Sequence, residues 1–345
     1  MKPIDISVII PCRNEESHIR KTIERVSSQK GAGKEFSYEL ILIDGKSDDG
    51  TLAIIREEMT DKPIIHLITN EKKITPVAFN LGIMHAQGKF ICILGAHAEI
   101  ADDYLMKCLN TINSVDADNV GGPWRARGYG YIGKAIALAF QSPFAVGGAK
   151  GHDLSYEGYL DTVWGGFYKR EIFEKIGAFD EELIRNQDDE LNYRLVKKGG
   201  KIWQSPEIKY YYTCRSDLKS LFHQYFQYGY WKVRVIQKHK IPASIRHIIP
   251  GSFILILAVS LLLSFFYYWA FLVLLFVVLL YLGVNIFMSF MTGARQKAMT
   301  LFPALPIVFL IFHLGYGLGF LMGVIHFVFS WHRKSISVFE RITRN

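Results

Sequence analysis

The longest apolar stretch of this chain limits what it can fold into. From Ile248 to Ala294, 47 consecutive residues include no Asp, Glu, Lys or Arg, whereas charges recur every few positions up to about residue 245. A bilayer core about 30 Å thick takes about 20 helical residues, so the run is long enough for two membrane spans and a tight turn. We expect the turn at residues 264–270, where Tyr267, Tyr268 and Trp269 suit a membrane interface.

Basic residues flank this run and predict its orientation. Arg295 and Lys297 follow it, and five basic residues precede it: Lys232, Arg234, Lys238, Lys240 and Arg246. Positive flanks mark the cytoplasmic side of a membrane and attract anionic lipid headgroups. We therefore attribute the formal net charge of +8 to membrane contact and expect no nucleic-acid binding.

A third apolar stretch, at residues 298–331, has a topology that its flanks leave open. A single crossing would place the basic tail, which includes Arg333 and Lys334, on the outer side against the charge rule. Pro303 and Pro306 could divide the stretch into an interfacial piece and a re-entrant or second span. The expected organisation is a soluble domain at 1–240, a transmembrane region at 241–332 with helices at about 248–267, 270–291 and 300–330, and a basic tail at 333–345.

The amino terminus and the cysteines favour a cytoplasmic location for the soluble domain. The first apolar stretch, residues 6–10, is too short for the core of a signal peptide. The four cysteines show neither paired spacing nor a metal-finger pattern, which fits a reducing compartment. We therefore expect a multi-pass protein of the cytoplasmic membrane whose soluble domain faces the cytoplasm.

The first hundred residues alternate between two patterns. Short runs rich in Ile, Val and Leu are typical of strands buried on both faces, and the segments between them are helical candidates. Short linkers between such elements predict a parallel sheet with right-handed crossovers, whose ligands bind beyond the carboxyl ends of the strands. The predicted strands are 6–11, 39–43, 64–69 and 89–94, and the predicted helices are 15–28, 51–59 and 75–86.

Polar residues follow the second predicted strand. Asp44 stands at the strand tip, where its carboxylate could accept hydrogen bonds from a base or a ribose, and Ser47 or Asp49 could cap the next helix. A plain turn with a helix cap explains the same residues equally well. Segment 44–51 alone does not decide between these interpretations.

Five ordered motifs resemble those of the family 2 inverting glycosyltransferases with the GT-A fold. They are Pro11-Cys12-Arg13-Asn14-Glu15, residues 44–51, residues 80–83, Phe179-Asp180-Glu181 and residues 186–191. The resemblance covers roughly residues 5–235, and the membrane region makes the chain most similar to succinoglycan-type members of exopolysaccharide pathways. It implies an α/β fold with a Rossmann-like, mostly parallel sheet, followed by transmembrane helices.

The resemblance also implies a nucleotide-diphosphate sugar donor. It places Pro11, Arg13, Glu15 and Asp44 around the nucleoside. The full set of donor-side candidates is Pro11, Arg13, Asn14, Glu15, Asp44, Ser47, Lys73, Asn80 and His97.

Asp188 is the candidate catalytic residue. It aligns with the aspartate of the family's Glu-Asp pair, although Gln187 replaces the glutamate here. An inverting transfer needs one base near the acceptor hydroxyl, so a single carboxylate suffices. The alternative is a solvated acidic helix start, since Asp and Glu favour first turns.

The fourth strand ends differently from the family pattern. Members usually show Asp-x-Asp, which holds a divalent ion against the donor diphosphate, but this chain reads Gly95-Ala96-His97. In an extended stretch His97 and Glu99 point the same way and could still reach an ion, with Mn²⁺ favoured over Mg²⁺ because imidazole is a ligand. Alternatively, His97 is a hydrogen-bonded loop residue, and the phosphate charge is offset by basic side chains, the candidates being Lys73, Arg125 and Arg127.

Acceptor-side candidates lie in three places. Trp164-Gly165-Gly166 resembles the loop under the transferred sugar, since glycine permits close approach and tryptophan can stack on a pyranose, although a core Trp at a turn fits as well. Asp189 adjoins the candidate base. Residues 224–231, which include Gln224 and Trp231, match the Gln-x-x-Arg-Trp signature of processive relatives only in part, and an aromatic helix lying on the membrane is the competing interpretation.

The predicted function is inverting transfer of a sugar from a nucleotide-diphosphate donor to a polyprenyl-diphosphate-linked glycan, in cell-surface or extracellular polysaccharide biosynthesis. Other polysaccharide-assembly proteins are possible partners. The altered Asp-x-Asp site motivates a second hypothesis, a catalytically weak nucleotide-sugar-binding subunit of an assembly complex. A third, a processive polysaccharide synthase, predicts more spans than the apolar segments here provide.

Overall fold

The computed structural model describes residues 3–240 and 244–329. The chain divides into two compact units: Met1–Arg125 with Lys150–Tyr212 form unit 1, and Ala126–Ala149 with Thr213–Asn345 form unit 2. The predicted domain boundary at residue 240 stays a prediction. The predicted basic tail at 333–345 lies outside the described residues.

The start of unit 1 confirms the predicted alternation of strands and helices. The first helix begins four residues later than predicted because Glu15 is held in the preceding loop, where its backbone N–H donates to Thr51 Oγ1 at 2.7 Å. The elements are β1 Ile6–Cys12, α1 Ile19–Ser27, β2 Tyr38–Asp44, α2 Thr51–Asp61, β3 Ile65–Thr69, α3 Thr75–His85 and β4 Phe90–Ile93.

Shorter elements follow, as the loss of strict alternation after residue 100 indicates. They are β5 Glu99–Ile100, α4 Tyr104–Ser114, β6 Asn119–Gly122, β7 Arg125–Arg127, α5 Gly130–Ala139, α6 Pro143–Val146, β8 Gly158–Tyr159, β9 Trp164–Lys169, α7 Ile172–Ile176, α8 Gln187–Lys197, β10 Ile202–Gln204 and β11 Tyr210–Thr213. Of these, α5 and α6 belong to unit 2.

An eight-stranded sheet organises unit 1, in the order β3-β2-β1-β4-β9-β6-β10-β8. Strands β1 to β4 are mutually parallel, with Ile9 of β1 level with Ile41 of β2 and Ile93 of β4. Strand β9 runs antiparallel to both of its neighbours, β4 and β6. Most of the sheet is therefore parallel, as expected, and one reversed strand lies at its centre.

Apolar cores cover both faces of the sheet, which explains why its strands are rich in Ile, Val and Leu. Side chains of β1 alternate between two cores: Val8 and Ile10 pack with α1, whereas Ile9 packs with residues of α3 and α8. All three side chains are fully buried. Burying an aliphatic side chain of this size contributes about 1.5–3 kcal/mol, so β1 is a main source of stability in unit 1.

Unit 2 contains the apolar helices. Three of them are long and apolar enough to cross a membrane, which confirms that the predicted helices exist. The turn between the first two lies at Phe265–Tyr267, within the predicted segment. Helix α12 begins at Leu305, about five residues after the predicted start, with Pro306 in its first turn. The helices are α9 Leu218–His239, α10 Ile249–Ser264, α11 Tyr268–Arg295 and α12 Leu305–Gly323, the last continued by a π-helical segment at Val324–Phe329.

Helices α9 and α12 pack backbone to backbone through glycines. An added Cβ would lie 3.1 Å from the Phe222 carbonyl oxygen at Gly315, 2.0 Å from that of Phe226 at Gly319, and 2.7 Å from that of Tyr230 at Gly323. Both partners advance by four residues at each step, so the two helices run parallel with one side of each in contact. Small residues at this spacing allow such close approach.

Gly319→Ala tests this packing. Because the new methyl group would overlap the Phe226 carbonyl oxygen, we expect unfolding to require about 1–3 kcal/mol less free energy. The matched control is Gly283→Ala in α11, where an added Cβ meets nothing within 4 Å. Thermal unfolding of the detergent-purified chain measures both, and equal midpoints would contradict the close contact.

Candidate active site

The loops that follow β1 and β2 are locked together by Asn14. Its backbone is left-handed, with φ 54°, and its side chain both donates to the Asp48 carboxylate at 2.7 Å and accepts the Asp48 backbone N–H at 3.1 Å. The Asn14 N–H donates to Ser47 Oγ at 3.0 Å. The structure therefore brings together the first two predicted donor motifs at the carboxyl ends of neighbouring parallel strands, where ligands bind in such sheets.

Asp44 is used inside its own loop. Its carboxylate is buried and accepts both the Ser47 hydroxyl, at 2.5 Å, and the Ser47 backbone N–H, at 3.1 Å. Of the two predicted caps of α2, Asp49 accepts the Thr51 N–H at 2.9 Å, and Gly50 occupies the cap position. Asp44 thus shapes the loop, and its predicted contact with a nucleoside stays a prediction.

The loop after β4 is fixed from two sides. Thr22 and Arg25 of α1 donate to the carbonyl oxygens of Ala96, at 2.7 Å, and Ala98, at 3.2 Å. On the other side the Gly95 N–H donates to the Tyr210 hydroxyl at 3.2 Å. These bonds hold His97, between the two carbonyls, in one position.

His97 meets Glu15 and His18 there. His97 Nδ1 lies 2.8 Å from Glu15 Oε2, and His18 Nδ1 lies 3.6 Å from the same oxygen. One ligand atom from each residue falls within 4.8 Å of the others, close enough for all three to bind one metal ion. The sequence interpretation identified His97 and missed His18, although Glu15 and His18, three apart at a helix entrance, are a signal for a shared ion.

Two neighbouring residues stand outside this group. Glu99, the second predicted ligand, pairs in β5 with Tyr211, and its carboxylate oxygen lies 3.9 Å from the Arg25 guanidinium. Burial raises the pKa of the Cys12 thiol, and the Asp44 and Glu15 carboxylates raise it further. Cys12 therefore stays protonated and offers no thiolate to a metal or a substrate.

The Trp164-Gly165-Gly166 segment lies at the same sheet edge as the His97 loop. Strands β4 and β9 are antiparallel, with Cys92 level with Phe167, so the end of β4 meets the beginning of β9. Gly165 has φ +63°, and an added Cβ would lie 2.3 Å from the Tyr210 ring. Since the Tyr210 hydroxyl also accepts the Gly95 N–H, one side chain connects the two predicted loops.

Trp164 is stacked on protein. The Trp124 ring stacks on it at a centroid distance of 4.2 Å and an interplanar angle of 26°, and His152 stacks on Trp124 at 5.2 Å. Tyr210 and Tyr212 lie 5.5 Å from the Trp164 ring. Contact of Trp164 with a sugar stays a prediction, and it is limited to the part of the ring that these neighbours leave open.

Asp188 lies exposed in the first turn of α8, one residue after the helix begins. Asn186, the residue before the helix, caps it in a left-handed conformation with φ 60°. The Asp189 N–H donates to the Asp188 carboxylate at 2.9 Å. The third acidic residue of this turn, Glu190, is buried and pairs with Arg194 at 2.8 Å. Arg194 therefore neutralises one of the two carboxylates that follow Asp188 in this turn.

A buried polar network fixes the helix that carries Asp188. Asn192, one turn further along α8, accepts from Asn119 of β6 at 3.0 Å and from the Tyr168 hydroxyl of β9 at 3.2 Å, and it donates to Thr162 at 2.9 Å. Burial raises the pKa of Tyr168, and the nearby Asp188 carboxylate raises it further, so this hydroxyl stays protonated and donates. The network ties α8 to the two strands beneath it.

Two predicted donor residues lie elsewhere in unit 1. Asn80 of α3 donates to the Phe179 carbonyl oxygen at 2.9 Å and accepts the Phe179 N–H at 2.8 Å. Hydrogen bonds from Lys72 and from Asn80 lower the pKa of Glu181. Its contacts thus hold the Phe179–Glu181 turn. Lys73 is exposed in the loop after β3, with φ 60°.

The remaining acceptor candidates belong to unit 2. Gln224 is buried on α9 and donates to the Tyr228 hydroxyl at 2.9 Å. Trp231 is 2% exposed and packs edge-on against Tyr230, with Phe327 6.0 Å away. Both side chains are occupied within unit 2, and their predicted sugar contacts stay predictions.

These loops and this sheet define an α/β sugar-nucleotide transferase of the GT-A type. Residues 7–177 match the model of glycosyl transferase family 2. The chain is 30% identical to the succinoglycan biosynthesis protein ExoA of Rhizobium meliloti (strain 1021), over 70% of this chain and 73% of that protein. The chain belongs to glycosyl transferase family 2 and is a glycosyltransferase, which confirms the resemblance seen in its motifs.

Further comparisons support the family and the fold. A Methanococcus voltae dolichyl N-acetyl-alpha-D-glucosaminyl phosphate 3-beta-D-2,3-diacetamido-2,3-dideoxy-beta-D-glucuronosyltransferase is 31% identical over 93% of this chain and 97% of its own length. The solved structure of a Pyrobaculum calidifontis mannosyltransferase, PcManGT, in complex with GDP-Man and Mn²⁺ aligns with TM-score 0.59 at 16% identity, over 92% of this chain and 86% of that one. Family membership indicates a nucleotide-sugar donor, and the apolar helices indicate a membrane protein.

Asn192→Leu tests the network under the Asp188 helix. The substitution leaves the buried Asn119 amide and Tyr168 hydroxyl without this acceptor, so we expect the free energy of unfolding to fall by about 1–3 kcal/mol. The control is Asn110→Leu, the same change at an exposed position of α4. Urea unfolding of the purified chain measures both, and equal losses would show that Asn192 is not a tie point.

Proposed function

We propose that this enzyme transfers a sugar, with inversion, from a nucleotide-diphosphate donor to a lipid-linked glycan at the cytoplasmic face of the membrane. The acceptor class is a polyprenyl diphosphate or a closely similar lipid. The product is part of a cell-surface or extracellular polysaccharide. Other polysaccharide-assembly proteins would supply the acceptor and receive the product.

One observation carries this proposal: the donor-side and acceptor-side motifs converge on one edge of the sheet. The Gly95–Ala98 loop and the Trp164–Gly166 segment are neighbours through the β4–β9 pairing, and Tyr210 contacts both. Asp188 lies close enough to Tyr168 of β9 to raise its pKa. A sugar held at this edge would have the diphosphate on one side and a carboxylate on the other.

The reaction follows from this placement of the sugar between the diphosphate and the carboxylate. The acceptor hydroxyl oxygen attacks the anomeric carbon, its proton passes to Asp188, and the bond from the carbon to the diphosphate oxygen breaks with its electron pair leaving on the nucleotide. Attack opposite the leaving group inverts the anomeric centre. The base is required only once per transfer, so a single ionised carboxylate is enough.

Glu15, His18 and His97 would hold a divalent ion beside the diphosphate. The separations of 2.8 and 3.6 Å between the Glu15 oxygen and the two imidazole nitrogens suit ligands of one ion. A bound ion would neutralise the charge that builds up on the departing diphosphate. Two imidazoles and one carboxylate favour manganese over magnesium, and the solved mannosyltransferase of this fold was obtained with Mn²⁺.

The lipid-linked acceptor is supported by the chain's own apolar helices and by the names of its relatives. The Methanococcus voltae enzyme acts on a dolichyl phosphate sugar by name, and the Rhizobium meliloti protein serves succinoglycan biosynthesis. An enzyme with a freely diffusing acceptor would gain nothing from a membrane region. The positive flanks of that region favour the cytoplasmic side, where nucleotide sugars are made.

A binding subunit without turnover is the second candidate, because both usual carboxylates of the Asp-x-Asp site are absent from Gly95-Ala96-His97. The two candidates separate when purified protein is given UDP-, GDP- and dTDP-sugars. The binding subunit retains a donor without consuming it, whereas the enzyme releases the nucleotide diphosphate when acceptor-containing membranes are added.

Asp188→Asn tests the catalytic assignment. The amide keeps the size of the side chain and cannot accept the proton, so we expect transfer to slow by about 10²–10⁴-fold while donor binding persists. The control is Asp116→Asn, an exposed carboxylate paired with Lys201. Nucleotide release with the preferred donor is the measurement, and wild-type turnover by Asp188→Asn would refute the assignment.

His18→Ala and His97→Ala test the metal site. Each removes one ligand, so we expect Mn²⁺ binding to weaken by about tenfold or more, equivalent to about 1.4 kcal/mol. Electron paramagnetic resonance of free Mn²⁺ titrated with protein alone measures this without any turnover. His85→Ala, at an exposed position of α3, is the control, and equal affinity in all three variants would place the ion elsewhere.

A further inference from the structure

The three apolar helices of unit 2 differ in how much of their surface other parts of the protein cover. In an apolar stretch of 18 residues in each helix, the protein buries 17% of the residues in the α10 span, 6% in α11 and 39% in α12. Exposed apolar residues occur all around the turn-side half of α10 and α11, such as Leu262, Phe266, Phe271 and Phe276. Helices surrounded by lipid have this character. Helix α12 does not.

The hydrogen bonds and glycine contacts described between α12 and the α10–α11 hairpin lie well away from the turn of the hairpin. Near its start, the Pro306 carbonyl oxygen accepts the Asn285 amide at 3.1 Å, and His313 lies 3.0 Å from the Tyr281 hydroxyl. Further along, an added Cβ at Gly317 would lie 2.5 Å from Pro250, and one at Gly251 would lie 2.5 Å from the Phe320 ring.

These contacts fix the direction of α12. Between Pro306 and Phe320 the helix advances about 21 Å. An added Cβ at Gly317 would also lie 2.5 Å from Ile254. Over all of these contacts the position of α12 along the hairpin, measured from the turn at about 1.5 Å per residue, changes only between about 16 and 27 Å. A third span alongside the hairpin would instead pass from one end of it to the turn. Helix α12 therefore runs across the hairpin.

The contacts of α12 with α6 and α9 support the same conclusion. His313 Nε2 lies 2.8 Å from the carbonyl oxygen of Phe144 in α6, and the carboxyl-terminal half of α12 runs along α9. At the far end, Arg234 of α9 lies over the Phe327 ring and Gln237 donates to the Phe327 carbonyl oxygen at 2.7 Å. If α12 spanned the bilayer, α9 would carry Arg234 and the buried Lys232 into hydrocarbon, where charged side chains are unfavourable.

We propose that, of these three helices, α10 and α11 alone cross the membrane, and that α12, paired with α9, lies in the lipid interface on the side where α10 begins. One stripe of α12, consisting of Leu318, Met322, Ile325 and Val328, remains exposed at helical spacing and would face the acyl boundary. Two crossings also return the chain to its starting side. The basic residues after α12 then share that side with the basic residues before α10, as the charge rule requires.

Labelling of introduced cysteines tests this topology without depending on catalysis. The native cysteines Cys12, Cys92, Cys108 and Cys214 are buried, so the unmodified chain gives the background. Four exposed or terminal sites receive a cysteine: Thr60→Cys in unit 1, Tyr267→Cys in the hairpin turn, Gln296→Cys after α11 and Ser335→Cys beyond α12. Ser337→Cys replaces the last variant if that one is poorly expressed.

The probe is a membrane-impermeant maleimide applied to sealed vesicles in which Thr60→Cys is labelled without detergent. We expect Gln296→Cys and Ser335→Cys to be labelled fully under the same conditions, and Tyr267→Cys to lose its labelling until detergent is added. Labelling of Ser335→Cys only with detergent would establish a third crossing and overturn the proposal. Labelling of Tyr267→Cys without detergent would show that the hairpin does not cross, and would overturn it equally.

Discussion

The antiparallel pairing of β4 with β9 is the constraint on which the site depends. Four parallel strands create an edge where loops can bind a nucleotide, and the loops after these strands hold only the proposed donor residues. The reversed strand β9 brings Trp164, Gly165 and Gly166 to the same edge, because its beginning lies against the end of β4. Tyr210 then joins the two loops through the Gly95 N–H and its contact with Gly165. Gly165 is required there, since any side chain would overlap the Tyr210 ring.

Charge at this edge is arranged in an unusual way for the family. The two carboxylates of the usual Asp-x-Asp are absent, and Glu15 supplies a carboxylate from the opposite loop, bonded to His97. The rigid anchoring of the His97 loop by Thr22 and Arg25 keeps this pair together. At the start of α8, Arg194 neutralises Glu190, and Asp188 is the exposed carboxylate of the turn that the Asn192 network holds in place.

Much of the fold followed from local pattern. Strands β1, β2 and β4 were predictable because burial on both faces makes them rich in Ile, Val and Leu. Helices α10 and α11 were predictable because 47 uncharged residues have few alternatives to a membrane hairpin. The motif order was enough to identify the family. The direction of α12 was not predictable from the sequence. Its glycines allow close contact with α9, but this becomes clear only when the fold shows which helix packs against them.

Within the candidate site, the sequence indicated which loops hold polar residues but could not assign the partners of those residues. His18 was missed because it becomes a ligand candidate only when the loop after β4 folds back onto α1. Asp44 and Asn80 each form hydrogen bonds with a turn, partners that a linear motif cannot reveal, and their predicted contacts with the donor stay predictions. Trp164 matched a sugar-contact loop, and only the fold showed that Trp124 stacks on it.

The most direct test of the central claim is an experimental structure of the chain with an intact nucleotide sugar. Convergence of the two loops predicts the diphosphate beside His97 and Glu15, with the transferred sugar against Gly165 and Gly166 and its anomeric carbon facing Asp188. A sugar that points away from β9, with Asp188 remote from the anomeric carbon, would contradict it.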